Sequence, residues 1–400
     1  MQDEFKAWRE SVDVKLDRLL NDVEFIKSRI GTYLGRNEAI TYLADETPIF
    51  VNTDDFGCPI NFINGGRYEE DYFHVFLSFR RPGLSMLDIG ANLGVYSLRM
   101  ANYLRTDKIL AFEPIARIRE LFQRSAFLNG YLDRISIYPY ALSDHDGEAT
   151  LHVPEGHAGG ASLEGRGEGA KVEIKRLDGM MEDGFRCGLV KLDVEGHELS
   201  VLRGMRQILA RSDESVVMFE KLAPHSGVEA GIHEYFSGLG RAVYYINGRT
   251  LERVDVDDFA NKAGYFIGAS AFLVQKDGAR RDFFYIYPQD LNVIHGVISE
   301  GVLEVHQKLE KGSVVFHGPY WWLPRGYYRM TITGVLNSRF IFELCERFGY
   351  KTASFQLEAG STCIEFPVLR DLIKFEWVMR PAATGETHAR IEKIKMEKLA

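Results

Sequence analysis

With 400 residues, 46% of them hydrophobic and 26% charged, the chain has an ordinary globular composition and room for one large domain plus a smaller one. A net charge of -9 argues against a nucleic-acid binder that works through bulk electrostatics. No stretch of about 18 apolar residues could cross a membrane and no N-terminal apolar run marks secretion, so a cytoplasmic protein is expected. Cys58, Cys187, Cys345 and Cys363 lack Cys-x-x-Cys spacing and read as free thiols.

Residues 3–30 contain neither Gly nor Pro, and Leu16, Leu19, Val23, Ile26, Ile30 and Tyr33 recur at alternating steps of three and four. Phe5, Trp8 and Val12 extend the series upstream with one irregular step. That is the seam of a coiled coil, so residues 1–35 are expected to be a helix that makes a homo-oligomer. An amphipathic helix lying on the main domain is the alternative. Short strands at 49–51 and 59–63 and a helix over 68–79 follow, stopped by Arg80-Arg81-Pro82-Gly83.

The run 84–89 reads as a buried strand, Gly90 and Gly94 as a tight turn, and 95–104 as a helix. Strands and helices then alternate, which predicts a doubly wound sheet. Strand 108–113 ends in Glu113, and helix 115–128 and strand 135–142 follow, with a turn through Asp144 and Gly147. Segments 148–153 and 171–177 form an added hairpin, and the Gly-rich stretch 154–169 between them, which holds His157, predicts a mobile loop. Strand 189–193 ends in Asp193, helix 199–209 follows, strand 215–220 ends in Glu220, and 243–246 and 270–275 close the sheet.

Beyond residue 280 the character changes. Residues 291–309 read as a linking helix. The segments 314–317, 327–334, 340–346, 352–357, 363–368, 374–379 and 391–396 read as short strands of an antiparallel β-sandwich, jelly-roll-like. The cluster Tyr320-Trp321-Trp322 opens that sandwich and suits either a sugar ring or a buried core. The expected division is a coiled coil at 1–35, an α/β domain at 36–280, a linker helix at 281–312 and a β-sandwich at 313–400.

In an open α/β sheet, ligands bind beyond the carboxyl ends of the strands at the switch point. Asp88 with Asn92, Glu113, Asp144 and Asp193 sit at such ends. Glu113 follows Asp88 by about 25 residues, near the spacing at which an acid chelates a ribose diol. The turn lacks the full G-x-G-x-x-G of a dinucleotide binder, and its acid suits a cationic ligand better than a pyrophosphate.

The motifs Asp88-Ile-Gly-Ala-Asn-Leu-Gly94, Phe112-Glu-Pro114, Ala141-Leu-Ser-Asp144, Gly160-Ala-Ser162 and Lys191-Leu-Asp-Val-Glu-Gly-His-Glu198 together resemble the FkbM-type family of S-adenosylmethionine-dependent methyltransferases, over about residues 86–209. The resemblance implies a Rossmann-like class I methyltransferase sheet, S-adenosylmethionine over the first three strand ends, and O-methylation of a sugar or polyketide hydroxyl. It implies that Gly90 and Gly94 pass under the methionine moiety, that Asp88 and Asn92 orient its amino and carboxylate groups, and that Glu113 holds the ribose. Ala141 to Asp144 would edge the adenine, and Asp193 would sit nearest the reactive methyl.

Methylating an alcohol requires in-line attack and removal of a proton, so a positioned base is needed. His197 and Asp193 are the candidates, with a helix cap as the alternative task for His197. Glu195 orients the substrate or closes the cofactor site. Asp193 and Glu220 could alternatively hold a divalent ion that acidifies the hydroxyl, which the spacing does not require. The pattern 318–329 also resembles sandwich modules of bacterial polysaccharide-building enzymes. The resulting reading is an O-methyltransferase for a glycan or glycan precursor, with no nucleic-acid partner. A polyketide or lipid hydroxyl is the alternative acceptor, and an inactive glycan-binding scaffold is the non-enzymatic alternative.

Overall fold

The computed structural model describes residues 31–55, 57, 62, 66–104, 107–164, 169–221, 229–270, 274, 281–347 and 349–399. The heptad series up to Ile30, most of the expected strand at 59–63, and Cys58 lie outside the described residues. Residues 31–35, expected to finish the helix, instead begin a small antiparallel sheet of β1 (Thr32–Gly35), β2 (Glu38–Tyr42) and β3 (Pro48–Asn52). Gly31 and Gly35 release the chain from the heptad pattern, and β1 pairs with β2.

Helix α1 (Glu70–Leu77) feeds the main sheet, whose first units are β4 (Ser85–Ile89), α2 (Val95–Tyr103), β5 (Ile109–Phe112), α3 (Ala116–Leu128) and β6 (Ile135–Tyr138). A side sheet of β7 (Ala141–Leu142), β8 (Gly147–Leu151) and β9 (Ala170–Lys175) is inserted next, followed by α4 (Leu177–Met180). The main sheet resumes with β10 (Cys187–Leu192), α5 (Glu198–Gly204), α6 (Arg206–Arg211), β11 (Val216–Lys221) and α7 (Glu229–Ser237). It finishes with β12 (Ala242–Asn247), β13 (Thr250–Val254), α8 (Val256–Ala260) and β14 (Gly264–Ala269).

The strand order is β13-β12-β14-β11-β10-β4-β5-β6. Strands β6, β5, β4, β10 and β11 run parallel, and β14 inserts antiparallel beside β11. Parallel strands covered on both faces read as continuous apolar runs, and β10 is buried at every position. Successive β4 residues feed opposite layers: Met86 joins the core with Leu98 and Phe122, while Leu87 joins the core with Leu202 and Phe236. Each such fully buried side chain contributes roughly 1.5–3 kcal/mol. Strand order reverses between β4 and β10, and that switch point opens the crevice where ligands bind.

The antiparallel strand beside β11 is 264–269, and the expected closing segment 270–275 lies mostly outside the described residues. Gly264 and Gly268 disguise strand 264–269 in the sequence, yet Gly268 is required there, because a Cβ would fall 2.3 Å from the Phe236 ring. Likewise the expected helix 199–209 breaks into two at Met205.

The linker helix expected at 281–312 is strand and turn. β15 (Phe283–Ile286), β16 (Asn292–Val293), β17 (Val297–Ser299) and β18 (Val302–Leu309) occupy it. In β18, Leu303, Val305 and Leu309 are buried while Glu304, His306 and Lys308 are exposed. That alternation has the period of a strand, and Gly296 and Gly301 at positive φ punctuate the segment as turns.

The remaining strands are β19 (Phe316–Leu323), β20 (Gly326–Leu336), β21 (Phe340–Glu346), β22 (Tyr350–Leu357), β23 (Cys363–Val368), β24 (Leu372–Pro381) and β25 (Gly385–Lys398). They complete two antiparallel sheets, β17-β18-β25-β20-β23 with β15 on β25, and β16-β19-β24-β21-β22. The sheets share a core in which the Trp377 ring meets Phe366 edge-on at 5.2 Å. The sandwich therefore starts at residue 283, not 313. Trp321 is 1% exposed and lies 4.8 Å from Tyr103 of α2, so the aromatic cluster packs at the junction with the α/β domain.

Candidate functional site

The turn after β4 is shaped by close packing. Gly90 (φ 75) has no room for a side chain, since a Cβ would lie 1.8 Å from the Asp193 carbonyl oxygen. Gly94 (φ 78) faces the Phe122 ring at 2.1 Å by the same measure, and it does not line the cavity. Gly94 also N-caps α2 without a side chain to offer. Asp88 takes over that task from the strand: its Oδ2 accepts from the Ser97 backbone N–H at 3.1 Å and from the Ser97 hydroxyl at 2.6 Å. Asp88 is thus buried beneath the turn and not among the cavity-lining residues. It supports the cradle instead of touching a methionine moiety directly, which corrects the role the resemblance implied.

A cavity enclosing about 890 Å³, including its open mouth, lies at the switch point. Its middle is bounded by Gly90, Asn92 and Glu113. Glu113 accepts from the Asn92 N–H at 2.9 Å and the Ile115 N–H at 2.7 Å, so its carboxylate is aimed by the turn itself. Burial pushes the Glu113 carboxyl up to about 7 against those bonds and the nearby Arg119 and Lys191. One end is apolar, walled by Ile115, Tyr140, Ala141, Leu142 and Leu151. Asp144 is not part of it. It sits exposed in the turn to β8, bonded to His145 at 2.7 Å, because β7 leaves the main sheet to pair with β9.

The other end is the tip of β10. Lys191 is buried and donates to the Asp193 carboxylate at 3.0 Å and to the Gly90 carbonyl at 3.3 Å. Tyr265 on β14 reaches Asp193 Oδ2 at 3.3 Å and Glu69 at 3.0 Å, and Tyr96 donates to Glu69 at 2.9 Å. Glu195 has φ 54, an uncommon conformation for a side-chain-bearing residue, and it lines the cavity. Glu198 folds back onto this turn, accepting from the Val194 and Gly196 N–H groups at 3.3 and 3.2 Å.

One carboxylate oxygen from each of Asp193, Glu195 and Glu220 lies within 4.8 Å of the other two. Burial, together with repulsion from these neighbours, pushes Glu195 up to about 7 and Glu220 up to about 8. His197 lies against the cavity with both ring nitrogens engaged: Nε2 with the Ser143 hydroxyl at 2.9 Å and Nδ1 with Glu164 at 2.7 Å. It makes no side-chain cap for α5. In this arrangement neither nitrogen is left to take a proton from an acceptor, and Asp193 is the better placed of the two candidate bases.

Of the stretch 154–169 expected to be mobile, residues 165–168 lie outside the described residues, and the part 154–164 roofs the cavity through Ala158, Gly159, Ala161 and Leu163. Asp55 pins it by accepting from the Ala158 N–H at 3.0 Å, and Ser162 Oγ donates to the Glu195 carbonyl at 2.7 Å. His157 is exposed. Sequence reading assigned no role to Lys191 and Glu198, although both stand inside the quoted motif. Asp55, Glu69, Glu164 and Tyr265 carried no local signal, because long-range packing alone brings them here.

The parts fit S-adenosylmethionine. An apolar slot suits adenine, Glu113 suits a ribose diol, and the half-buried carboxylates of Asp193 and Glu195 face the cationic end.

Residues 88–262 match the family described as Methyltransferase FkbM domain. The chain is 32% identical over 154 residues to Methyltransferase sdnD of Sordaria araneosa, covering 30% of this chain and 60% of that protein. It is 25% identical over 339 residues to the AMB antimetabolite synthetase AmbE of Pseudomonas aeruginosa, covering 72% of this chain and 15% of that one. The chain thus spans only a part of either relative. Among solved structures, a SAM-dependent methyltransferase from Agrobacterium tumefaciens aligns with a TM-score of 0.35 and 13% identity, over 60% of this chain and 71% of the other. The sequence match and the motif set together identify residues 88–262 as a methyltransferase domain of the FkbM type.

Proposed function

We propose that the chain transfers a methyl group from S-adenosylmethionine to a hydroxyl of a sugar or glycan precursor. The observation that carries this reading is one continuous cavity with Glu113 along it and the Asp193–Glu195 tip of β10 at its far end. When bound, the cofactor supplies an electrophilic methyl on a sulfonium; every other task falls to the chain. Glu113 and the Asn92 N–H orient the nucleoside portion, and the apolar wall from Ile115 to Leu151 takes the base. Lys191 and Tyr265 hold the Asp193 carboxylate in one orientation, from which it can accept the acceptor's hydroxyl proton. The roof segment excludes water from the methyl end.

Asp193→Asn keeps the shape and removes the base. The expected outcome is an S-adenosylmethionine Kd within about threefold of the parent and a fall of about 10²–10⁴ in kcat, measured by calorimetry and by isotope transfer to glycan extracts. Failure of the parent chain to bind S-adenosylmethionine would overturn the reading.

A second reading is favoured by one observation, the convergence of the Asp193, Glu195 and Glu220 oxygens. Three carboxylates are a hard-cation donor set, and a divalent ion held there would acidify the acceptor hydroxyl. The Lys191 ammonium already neutralises one Asp193 oxygen, which favours the metal-free account. Chelation decides between them, since activity that survives EDTA leaves Asp193 as the base.

A further inference from the structure

We propose that His306 and His388, paired on the outer face of the sandwich, form a binding site for one divalent transition-metal ion of the class that favours imidazole: Cu2+, Ni2+ or Zn2+. The site is independent of the methyl-transfer reading, because neither ring lines the cofactor cavity.

The period of the strands places the two rings. In β18, Leu303 and Val305 join the core, while Glu304, His306 and Lys308 are exposed. In β25, Ala389 and Ile391 join the core, Glu386 and Arg390 are exposed, and His388 is half-buried. The register sets His306 directly opposite His388. On its other side, the His388 N–H donates to Ser338 Oγ at 3.1 Å and its carbonyl accepts from the Asn337 N–H at 3.0 Å. Both backbone groups of His388 therefore turn away from β18. The two histidines are thus a non-hydrogen-bonded pair, the kind whose side chains stand closest across an antiparallel ladder.

The spacing of the ring nitrogens carries the argument. The two Nδ1 atoms lie 3.1 Å apart, and the rings tilt at 46° with centroids 5.4 Å apart, so they converge through these atoms and do not stack. Two imidazole nitrogens on one ion, each bonded at about 2.0–2.1 Å, are themselves about 3.0–3.4 Å apart. The observed separation already has that bite. With each ring's proton on Nε2, both Nδ1 lone pairs are available and no proton has to leave. The flanking charges come in opposite pairs, Glu304 across from Arg390 and Lys308 across from Glu386, so they do not oppose a cation. Among the described residues no third His, Cys, Asp or Glu converges on the pair, so water completes the coordination. Two imidazoles without a carboxylate select a transition metal over Mg2+ or Ca2+.

The test uses the full untagged chain, stripped with EDTA and desalted. The chlorides of Cu2+, Ni2+, Zn2+ and Mg2+ are titrated by calorimetry, and bound Cu2+ is read by electron paramagnetic resonance. Cu2+ is expected to bind tightest, at least about tenfold above Ni2+ and Zn2+, with splitting from two imidazole nitrogens. His306→Asn and His388→Asn should each weaken Cu2+ at this site at least about tenfold, and the double variant should lose the two-nitrogen signal. Both residues stand on a solvent-facing surface, so the metal-free unfolding midpoint should stay at the parent value in all three variants. The carboxylates around Asp193 offer only oxygen, so an ion held there gives no nitrogen splitting and is not mistaken for this site. Absence of a two-nitrogen Cu2+ signal in the parent, or its persistence in the double variant, would leave an ordinary hydrogen-bonded pair of histidines and overturn the proposal.

Discussion

Glu113 shows how one residue answers to two opposing demands. Its carboxyl is buried, which raises its proton affinity to a value of about 7, and two backbone N–H groups hold the charged form in place. The folded value stands above the ordinary 4.5, so the native state holds a proton that the unfolded chain releases. Stability from this group is therefore full below about 4.5 and is lost as pH rises through about 7. Ribose binding runs the other way, because a diol donates best to the ionised form. We expect the S-adenosylmethionine Kd to fall by up to about tenfold between about pH 6 and 8, and Glu113→Gln to flatten that step, as read by calorimetry across the range. At Gly90 no such adjustment exists, since the Asp193 carbonyl fills the place of its side chain.

At the scale of elements, the roof segment 154–164 is tied down by contacts that come from three directions. Asp55 holds the Ala158 N–H, Ser162 donates to the Glu195 carbonyl, and Glu164 bonds His197. Loops with few such ties open at low free-energy cost, and a charge-assisted bond is worth about 1.5–3 kcal/mol. Asp55→Ala removes acceptors for both Ala158 and Gly57. The expected outcome is a rise of about tenfold in the S-adenosylmethionine dissociation rate, with kcat on saturating cofactor less affected. Stopped-flow displacement measures it, and an unchanged rate would show that the roof is held by other contacts.

Across the whole molecule, the α/β domain and the sandwich share one packed boundary. Arg80, at the end of the α1 segment, makes a bidentate pair with Asp290 at 2.8 and 2.5 Å, with both side chains at most 3% exposed. Trp321 and Tyr287 close over the guanidinium at 5.4 and 5.6 Å. Breaking a buried pair leaves one charge without its partner, so Arg80→Met should cost about 3–5 kcal/mol in denaturant unfolding, and the Arg80→Met, Asp290→Leu double variant less than the sum. Additive costs would show that the two side chains are not coupled. Trp321 and Trp322 are 1% and 8% exposed, so their faces serve this junction and are not presented to a glycan.

The glycine turn, the alternating strands and helices, and Glu113 and Asp193 at strand tips were legible in the chain, because each is written in residues a few positions apart. The short strands after residue 313 were legible for the same reason, whereas β18 was misread as helix because its apolar residues satisfy both periods until Gly296 and Gly301 are weighed as turns. Tertiary structure alone decided what Asp88 and Gly94 do, since Ser97 and the Phe122 ring are brought to them by folding. It alone brought Glu69, Asp55, Glu164 and Tyr265 to the site and engaged both nitrogens of His197. A motif records the chemistry of neighbours along the chain, but the partners that orient those groups arrive from remote strands and loops, and sequence spacing carries no record of them.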